Sequence, residues 1–209
     1  LITDKSADEK LVQLNSCLIF SAVYDIILLS RCTRKDIIMT LRELHELTVN
    51  MLSAAGIEDS AFDTDCLFED ILNAGKTDLV LRGDTEVPEP DADRLMLAAE
   101  RRCSGTPLQY ILGEWEFFGS PFYVGEGVLI PRPDTEVLVE KVIAHFTNRG
   151  NVSPEICDLC SGSGCIAVTL KKELPNSVVH AAELSSEAMP YLTKNIIRHG
   201  ADVKILKGD

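Results

Sequence analysis

Between residues 158 and 167 the chain reads Asp-Leu-Cys-Ser-Gly-Ser-Gly-Cys-Ile-Ala, directly after the start of an apolar run, Ile156 to Leu159, with the length of a buried strand. No other stretch limits the fold as strongly. A strand must end, a turn without bulky side chains must follow, and a helix must open near Gly164. Missing β-carbons let a ligand approach such a turn, and the unpaired amides of a first helical turn favour negative charge there. Glu183 lies 21 residues after Gly162, at the end of the next apolar run, Ser177 to Leu184. A carboxylate at that point can accept both hydroxyl hydrogens of a ribose. With a third run at Val203 to Leu206 and helices opening near Gly164 and Ser186, the order is strand, helix, strand, helix, strand. This predicts an α/β fold containing the first half of a Rossmann-like doubly wound parallel sheet. The pattern describes a nucleoside-containing cofactor. It leaves the cofactor class open, because Gly162-x-Gly164-x-x-Ala167 also satisfies the relaxed dinucleotide fingerprint.

The preceding residues have a different texture. Thr40 and Glu43 form a capping box, after which Leu41, Leu44, Leu47, Met51, Leu52 and Ala55 recur on one helical face as far as Gly56. Further helices are expected from about Asp63 to Asn73 and from Asp91 to Cys103, with Gly75, Gly83, Pro88 and Pro90 as punctuation. Trp115 to Phe118, a Gly119-Ser120 turn and Phe122 to Val124 read as an aromatic hairpin. A helix opening at Asp134 would then bury Val137, Leu138, Val142, Ile143 and Phe146.

The formal charge of −13 repels phosphate backbones and anionic lipid heads, which argues against a nucleic-acid or membrane-surface binder. The excess is concentrated in residues 39–112, with fifteen acids against six bases. The longest apolar stretch, Cys17 to Leu29, is broken by Ser21 and Asp25 and is too short for a spanning helix. Seven unpatterned cysteines fit reduced thiols in a cytoplasmic protein. Cys157, Cys160 and Cys165 lack a fourth ligand at matching spacing, so no metal is expected. Ser163 lacks the outer glycine of a nucleophile elbow, and no histidine pair is spaced for catalysis.

Several ordered runs are similar to the release-factor glutamine methyltransferase family, which uses S-adenosyl-L-methionine. Met39-Thr40-Leu41-Arg42-Glu43-Leu44 resembles that family's start. Gly105-Thr106-Pro107-Leu108-Gln109-Tyr110-Ile111-Leu112-Gly113 and Glu116-Phe117-Phe118-Gly119 resemble its interdomain signature, and Leu129-Ile130-Pro131-Arg132-Pro133-Asp134-Thr135-Glu136 its most distinctive run. The glycine loop and Ala182-Glu183-Leu184-Ser185 follow in the family's order, so the resemblance covers residues 39–209.

The resemblance implies a helical substrate-recognition domain at 39–113, a β-hairpin linker at 114–130 and a truncated S-adenosylmethionine-dependent methyltransferase domain at 131–209. Residues 1–38 fall outside it, either as an extension or, the favoured reading, as translated upstream sequence. The implied activity is methylation of the glutamine side-chain amide in the Gly-Gly-Gln motif of peptide-chain release factors. Cys160, Ser161, Gly162, Ser163 and Gly164 would hold the methionine end of the cofactor and Glu183 its ribose. Asp209 matches the start of a third cofactor segment, and Arg132, Thr135 and Glu136 would border the cofactor and substrate cleft. Cys160 stands where the family often has glycine, and Glu183 where aspartate is commoner. The family's Asn-Pro-Pro-Tyr motif does not occur in the 209 residues. No catalytic residue is therefore assigned, and the chain alone is expected to be inactive. Without the family's fourth strand, the first is expected to be left as an unpaired apolar edge, favouring aggregation or weak cofactor binding. The competing readings are a methyltransferase for another protein amide, such as a ribosomal-protein glutamine, and a dinucleotide-binding oxidoreductase fragment.

Overall fold

Thr40 and Glu43 exchange the hydrogen bonds of the capping box: the Thr40 amide donates to Glu43 Oε2 at 2.9 Å and the Glu43 amide to Thr40 Oγ1 at 3.3 Å. They start α1, Leu41–Ala54. The Thr40 hydroxyl also donates to Glu43 Oε2 at 2.9 Å, and the two bonds from Thr40 to the carboxylate hold the Glu43 carboxyl below its ordinary value. In the computed structural model, residues 39–149 and 153–208 are described, and the chain divides into two compact units, Leu1–Leu108 and Gln109–Asp209. The readings made for residues 1–38 and for Asp209 lie outside the described residues.

In the first unit, α1 packs with α2, Ser60–Leu72, and α4, Glu89–Cys103, while α3, Lys76–Arg82, adjoins α1. Leu44, Leu52, Leu67, Phe68, Leu95 and Ala99 are fully buried between them. Three local expectations are corrected. The second helix begins at Ser60 rather than Asp63, because Asp63 is a buried interior residue whose carboxylate takes a 2.6 Å hydrogen bond from Arg102 Nε on α4. The glycine-punctuated stretch contains a helix of its own, α3, since Asp78 accepts both the Gly75 amide and Arg82 Nε at 2.9 Å. The third expected helix starts at Glu89, two residues early. Pro90, read as a breaker, sits in the first turn, where its missing amide hydrogen costs nothing.

Beyond α5, Leu108–Leu112, the second unit opens with an antiparallel hairpin of β1, Glu114–Phe117, and β2, Ser120–Tyr123. Its turn is Phe118-Gly119, one residue earlier than expected, with φ of 52° and 67°. Positive φ at both central positions is the type I′ geometry that matches strand twist. Phe118 bears the strain of a left-handed non-glycine, and its amide is held by Glu136 Oε1 at 2.9 Å. Phe117 and Phe122 are buried edge to face, their centroids 6.1 Å apart.

The helix α6, Pro133–Thr147, follows. Its buried residue is Val139, with Val142 and Ile143 against the same core, whereas Val137 and Leu138 are about half exposed. The apolar face is thus rotated from the expected one. Three parallel strands complete the unit: β3, Glu155–Leu159, β4, Val178–Glu183, and β5, Val203–Lys207, hydrogen-bonded in the order β3-β4-β5. They are joined by α7, Cys165–Glu173, and α8, Met189–His199. That last helix begins three residues after the expected Ser186, because Ser185 Oγ first accepts the Glu187 and Ala188 amides at 3.2 Å.

The sheet has unlike faces. In register, Ile156, Val179 and Val203 lie on one side with Ala167 and Leu192 packed over them. On the other side Leu159 is 69% exposed, Leu206 47% and Val178 43%. Among the described residues β3 is an edge, as the expected strand order requires.

Candidate cofactor-binding site

The crossover from β3 to α7 is built almost wholly from backbone. Cys160 leaves the strand with φ +57°, which explains why a glycine would be easier at this position; its own side chain is exposed. Ser161 is buried, its amide donating to Ala182 O at 3.0 Å and its hydroxyl to Asp158 O at 2.9 Å. Gly162 and Gly164 both take positive φ, 57° and 79°. A β-carbon on Gly164 would lie 2.5 Å from Leu192 Cδ1, so the loop is pressed against α8.

Glu183, buried at the tip of β4, reaches back across the strand ends. Its Oε2 accepts the Gly162 amide at 2.7 Å, and its Oε1 accepts the amides of Leu184 and Ser185 at 2.9 and 2.7 Å. A carboxylate offers about four lone-pair positions. Three are taken, which leaves one, on the oxygen facing the loop. The sequence expectation of two ribose hydroxyls on Glu183 is therefore reduced to one for this arrangement of the side chain.

Two residues outside the sequence-derived set shape the loop. Asp158 accepts the Ala167 amide at 3.2 Å, tying the end of β3 to the first turn of α7. Burial pushes its carboxyl up and the charge of Glu183 adds to that, while hydrogen bonds from Ser161 and Ala167 oppose it. Asn195, fully buried on α8, is the second. Its spacing with Leu192, Ile196 and His199 puts a polar amide on an apolar helical stripe, which is the signal that would have singled it out.

The remaining sequence-derived residues are less concentrated. Arg132 pairs with Asp134 at 2.8 Å, both exposed, and its carbonyl accepts the Thr135 amide at 3.0 Å. Glu136 is engaged with the hairpin turn. Cys165 is buried and its thiol pushed up to about 11 by that burial, consistent with packing rather than reactivity. Among the described residues there is no group of three or more His, Cys, Asp and Glu able to hold a metal, and no helix long and apolar enough to cross a membrane.

A parallel βαβαβ unit with a side-chain-poor loop after its first strand and a buried carboxylate at the tip of its second defines the class: a Rossmann-like α/β fold. The sequence comparisons narrow this further. Residues 43–113 match the PrmC N-terminal domain family. Through 78% of its length the chain is 38% identical to the release factor glutamine methyltransferase of Fusobacterium nucleatum, of which it covers 46%. The corresponding enzyme of Geobacter sulfurreducens is 36% identical over 84% of this chain and 61% of its own, and that of Flavobacterium psychrophilum 45% identical over 48% and 36%. The chain is thus a relative of the release factor glutamine methyltransferases, spanning about half to three-fifths of the length of the first two. Among solved structures, the N-terminal domain of human METTL16 is 21% identical over 61% of this chain and 47% of that one, with a TM-score of 0.37, a likeness too partial to bear on function.

Proposed function

We propose that the loop of Cys160, Ser161, Gly162, Ser163 and Gly164, with Glu183, binds S-adenosyl-L-methionine, and that the full-length protein methylates the glutamine amide of the Gly-Gly-Gln motif in release factors. One observation carries this reading: the buried Glu183 carboxylate at the tip of the second strand takes the Gly162 amide of the loop at 2.7 Å and, with two further amides bound, uses three of its about four acceptor positions. The residues fit the cofactor. The missing β-carbon at Gly162 admits the methionine portion close to backbone, and the remaining acceptor position of Glu183 takes a ribose hydroxyl. When bound, S-adenosylmethionine supplies an electrophilic methyl group on a sulfonium. The chain's part is to hold that group in line with the acceptor nitrogen and to keep the loop dry and fixed.

On this reading, residues 39–113 recognise the substrate, 114–130 form the hairpin linker and 131–209 the methyltransferase domain. Asp209 begins a further cofactor contact, and Arg132, Thr135 and Glu136 border the cleft. The acidic helical unit favours a protein partner over nucleic acid, in a cytoplasmic setting. An amide nitrogen is a weak nucleophile because its lone pair is delocalised into the carbonyl, so its orientation matters. In the family that task falls to an Asn-Pro-Pro-Tyr motif, so no residue of this chain is assigned to it.

The test is calorimetric and chemical, on the full-length protein. S-adenosylmethionine is expected to bind and NAD not to. Intact release factor is expected to gain one methyl group on the Gly-Gly-Gln glutamine by mass spectrometry, and Glu183→Ala to lose both properties. Binding of NAD instead, or methylation of a ribosomal protein but not a release factor, would redirect the assignment.

A further inference from the structure

We infer that Asn195 is a positioning residue for the cofactor loop, fixing it against the aromatic hairpin; this rests on the cofactor reading of that loop. The side chain is completely buried and makes three hydrogen bonds to two segments distant in sequence. Its Nδ2 donates to Ser163 O at 2.8 Å and to Tyr123 O at 3.0 Å, and its Oδ1 accepts the Tyr123 amide at 2.7 Å. Both donors and one acceptor position are used, and all three partners are backbone atoms, so the bonds fix chain path rather than side-chain placement.

The geometry around Asn195 explains why this contact acts on the loop. Ser163 lies between Gly162 and Gly164, the two residues with positive φ, and glycine holds no conformation by its own sterics. Leu192, one helical turn before Asn195, stands where a β-carbon on Gly164 would collide with it. One face of α8 therefore sets the loop at two successive residues, by contact at Gly164 and by hydrogen bond at Ser163. The same face holds the hairpin. Arg198 lies 4.3 Å from the centroid of the Tyr123 ring and pairs with Glu114 at 2.8 Å, and His199 Nε2 meets Pro121 O at 3.0 Å. Asn195 is the member of this set that bonds to both hairpin and loop. Removing it leaves the buried Ser163 carbonyl and the part-buried Tyr123 amide and carbonyl without these partners, and frees the glycine pair to sample other conformations.

In the full-length protein, Asn195→Ala is expected to weaken S-adenosylhomocysteine binding about tenfold by calorimetry. It should raise the KM for S-adenosylmethionine by a similar factor with kcat changed less than twofold. Asn195→Asp keeps the acceptor for Tyr123 but turns an acceptor on two carbonyls, and is expected to be at least as impaired. Val139→Ala, a core truncation in the same unit, supplies the control: it should lower the melting temperature and leave cofactor affinity unchanged. Asn195→Ala binding with native affinity, or Val139→Ala losing as much affinity, would overturn the inference. Failure of the unmodified protein to bind the cofactor would instead overturn the functional reading beneath it.

Discussion

The helical unit and the sheet unit differ in how far apart in sequence their decisive contacts lie. In α1 to α4, caps and intrahelical pairs act over three or four residues, and long-range polar ties such as Asp63 to Arg102 and His45 to Asp65 join helices already formed by their own periodicity. In β3 to β5, the turn that defines the site is held by Glu183 and Asn195, 21 and 32 residues from their loop partners. The apolar surfaces differ too. Leu44, Phe68 and Leu95 are enclosed, whereas one face of the sheet leaves Leu159, Val178 and Leu206 substantially exposed. A helix can be specified locally and then docked, but a side-chain-poor loop takes its shape from what surrounds it.

This difference is most sharply tested by Gly164→Ala. A left-handed residue acquiring a β-carbon costs about 1–2 kcal/mol, and forcing that atom onto Leu192 adds about 1–3 kcal/mol of overpacking. A loss of about 3 kcal/mol in urea denaturation is expected for the sheet unit, with the helical unit unchanged. Should Gly164→Ala leave stability intact, the loop is not set by α8 as described.

Next in size is Asp158→Asn. Burial raises the Asp158 carboxyl in the folded state, with Glu183 contributing, so ionised Asp158 disfavours the fold. As pH falls from neutral through the raised value towards the ordinary 3.8, the folded protein binds the proton first and this penalty is relieved. An asparagine keeps an acceptor for the Ala167 amide and carries no charge. It is therefore expected to stabilise the sheet unit at neutral pH. The advantage should shrink as pH is lowered and vanish below the ordinary carboxylate value, as read from denaturation midpoints across that range. An advantage that grows on acidification would reverse the assigned sign.

What could be read in the sequence follows the same division. The capping box at Thr40, the three apolar strand runs and the small-residue loop are patterns within a few residues, and each is found at or near its expected place. Glu183 was legible at longer range because strand lengths fix its distance from Gly162, and the structure joins the two directly. The hidden features depend on tertiary context. Asp63 resembles a helix-start signal until Arg102 is seen beside it, and the Phe118-Gly119 turn is masked by an aromatic residue where asparagine would have announced type I′. Val137 and Leu138 are apolar but solvent-facing, so the periodicity of α6 alone could not select the stripe around Val139. Asn195 was visible only as a polar residue on an apolar stripe, with nothing local to name its partners.

The smallest effect belongs to the most legible feature. Thr40→Ala removes the hydroxyl that accepts the Glu43 amide, and with it half of the capping box at α1. Glu43 keeps the Thr40 amide hydrogen, so the reciprocal bond survives and the cost should be about 1 kcal/mol, typical of a lost cap. Because the interaction spans three residues, its loss should stay inside the helical unit: the first unfolding transition moves, and cofactor affinity does not. Glu43→Gln provides the complementary measurement. The two hydrogen bonds from Thr40 hold the Glu43 carboxyl below its ordinary value, so they stabilise the fold above that value and lose the contribution as pH drops through the depressed one. A glutamine can still accept the Thr40 amide, so the variant should weaken the helical unit slightly at neutral pH and erase this part of its acid sensitivity. A Thr40→Ala effect that spread to the sheet unit or to cofactor affinity would mean that the local character of the helical unit has been overstated.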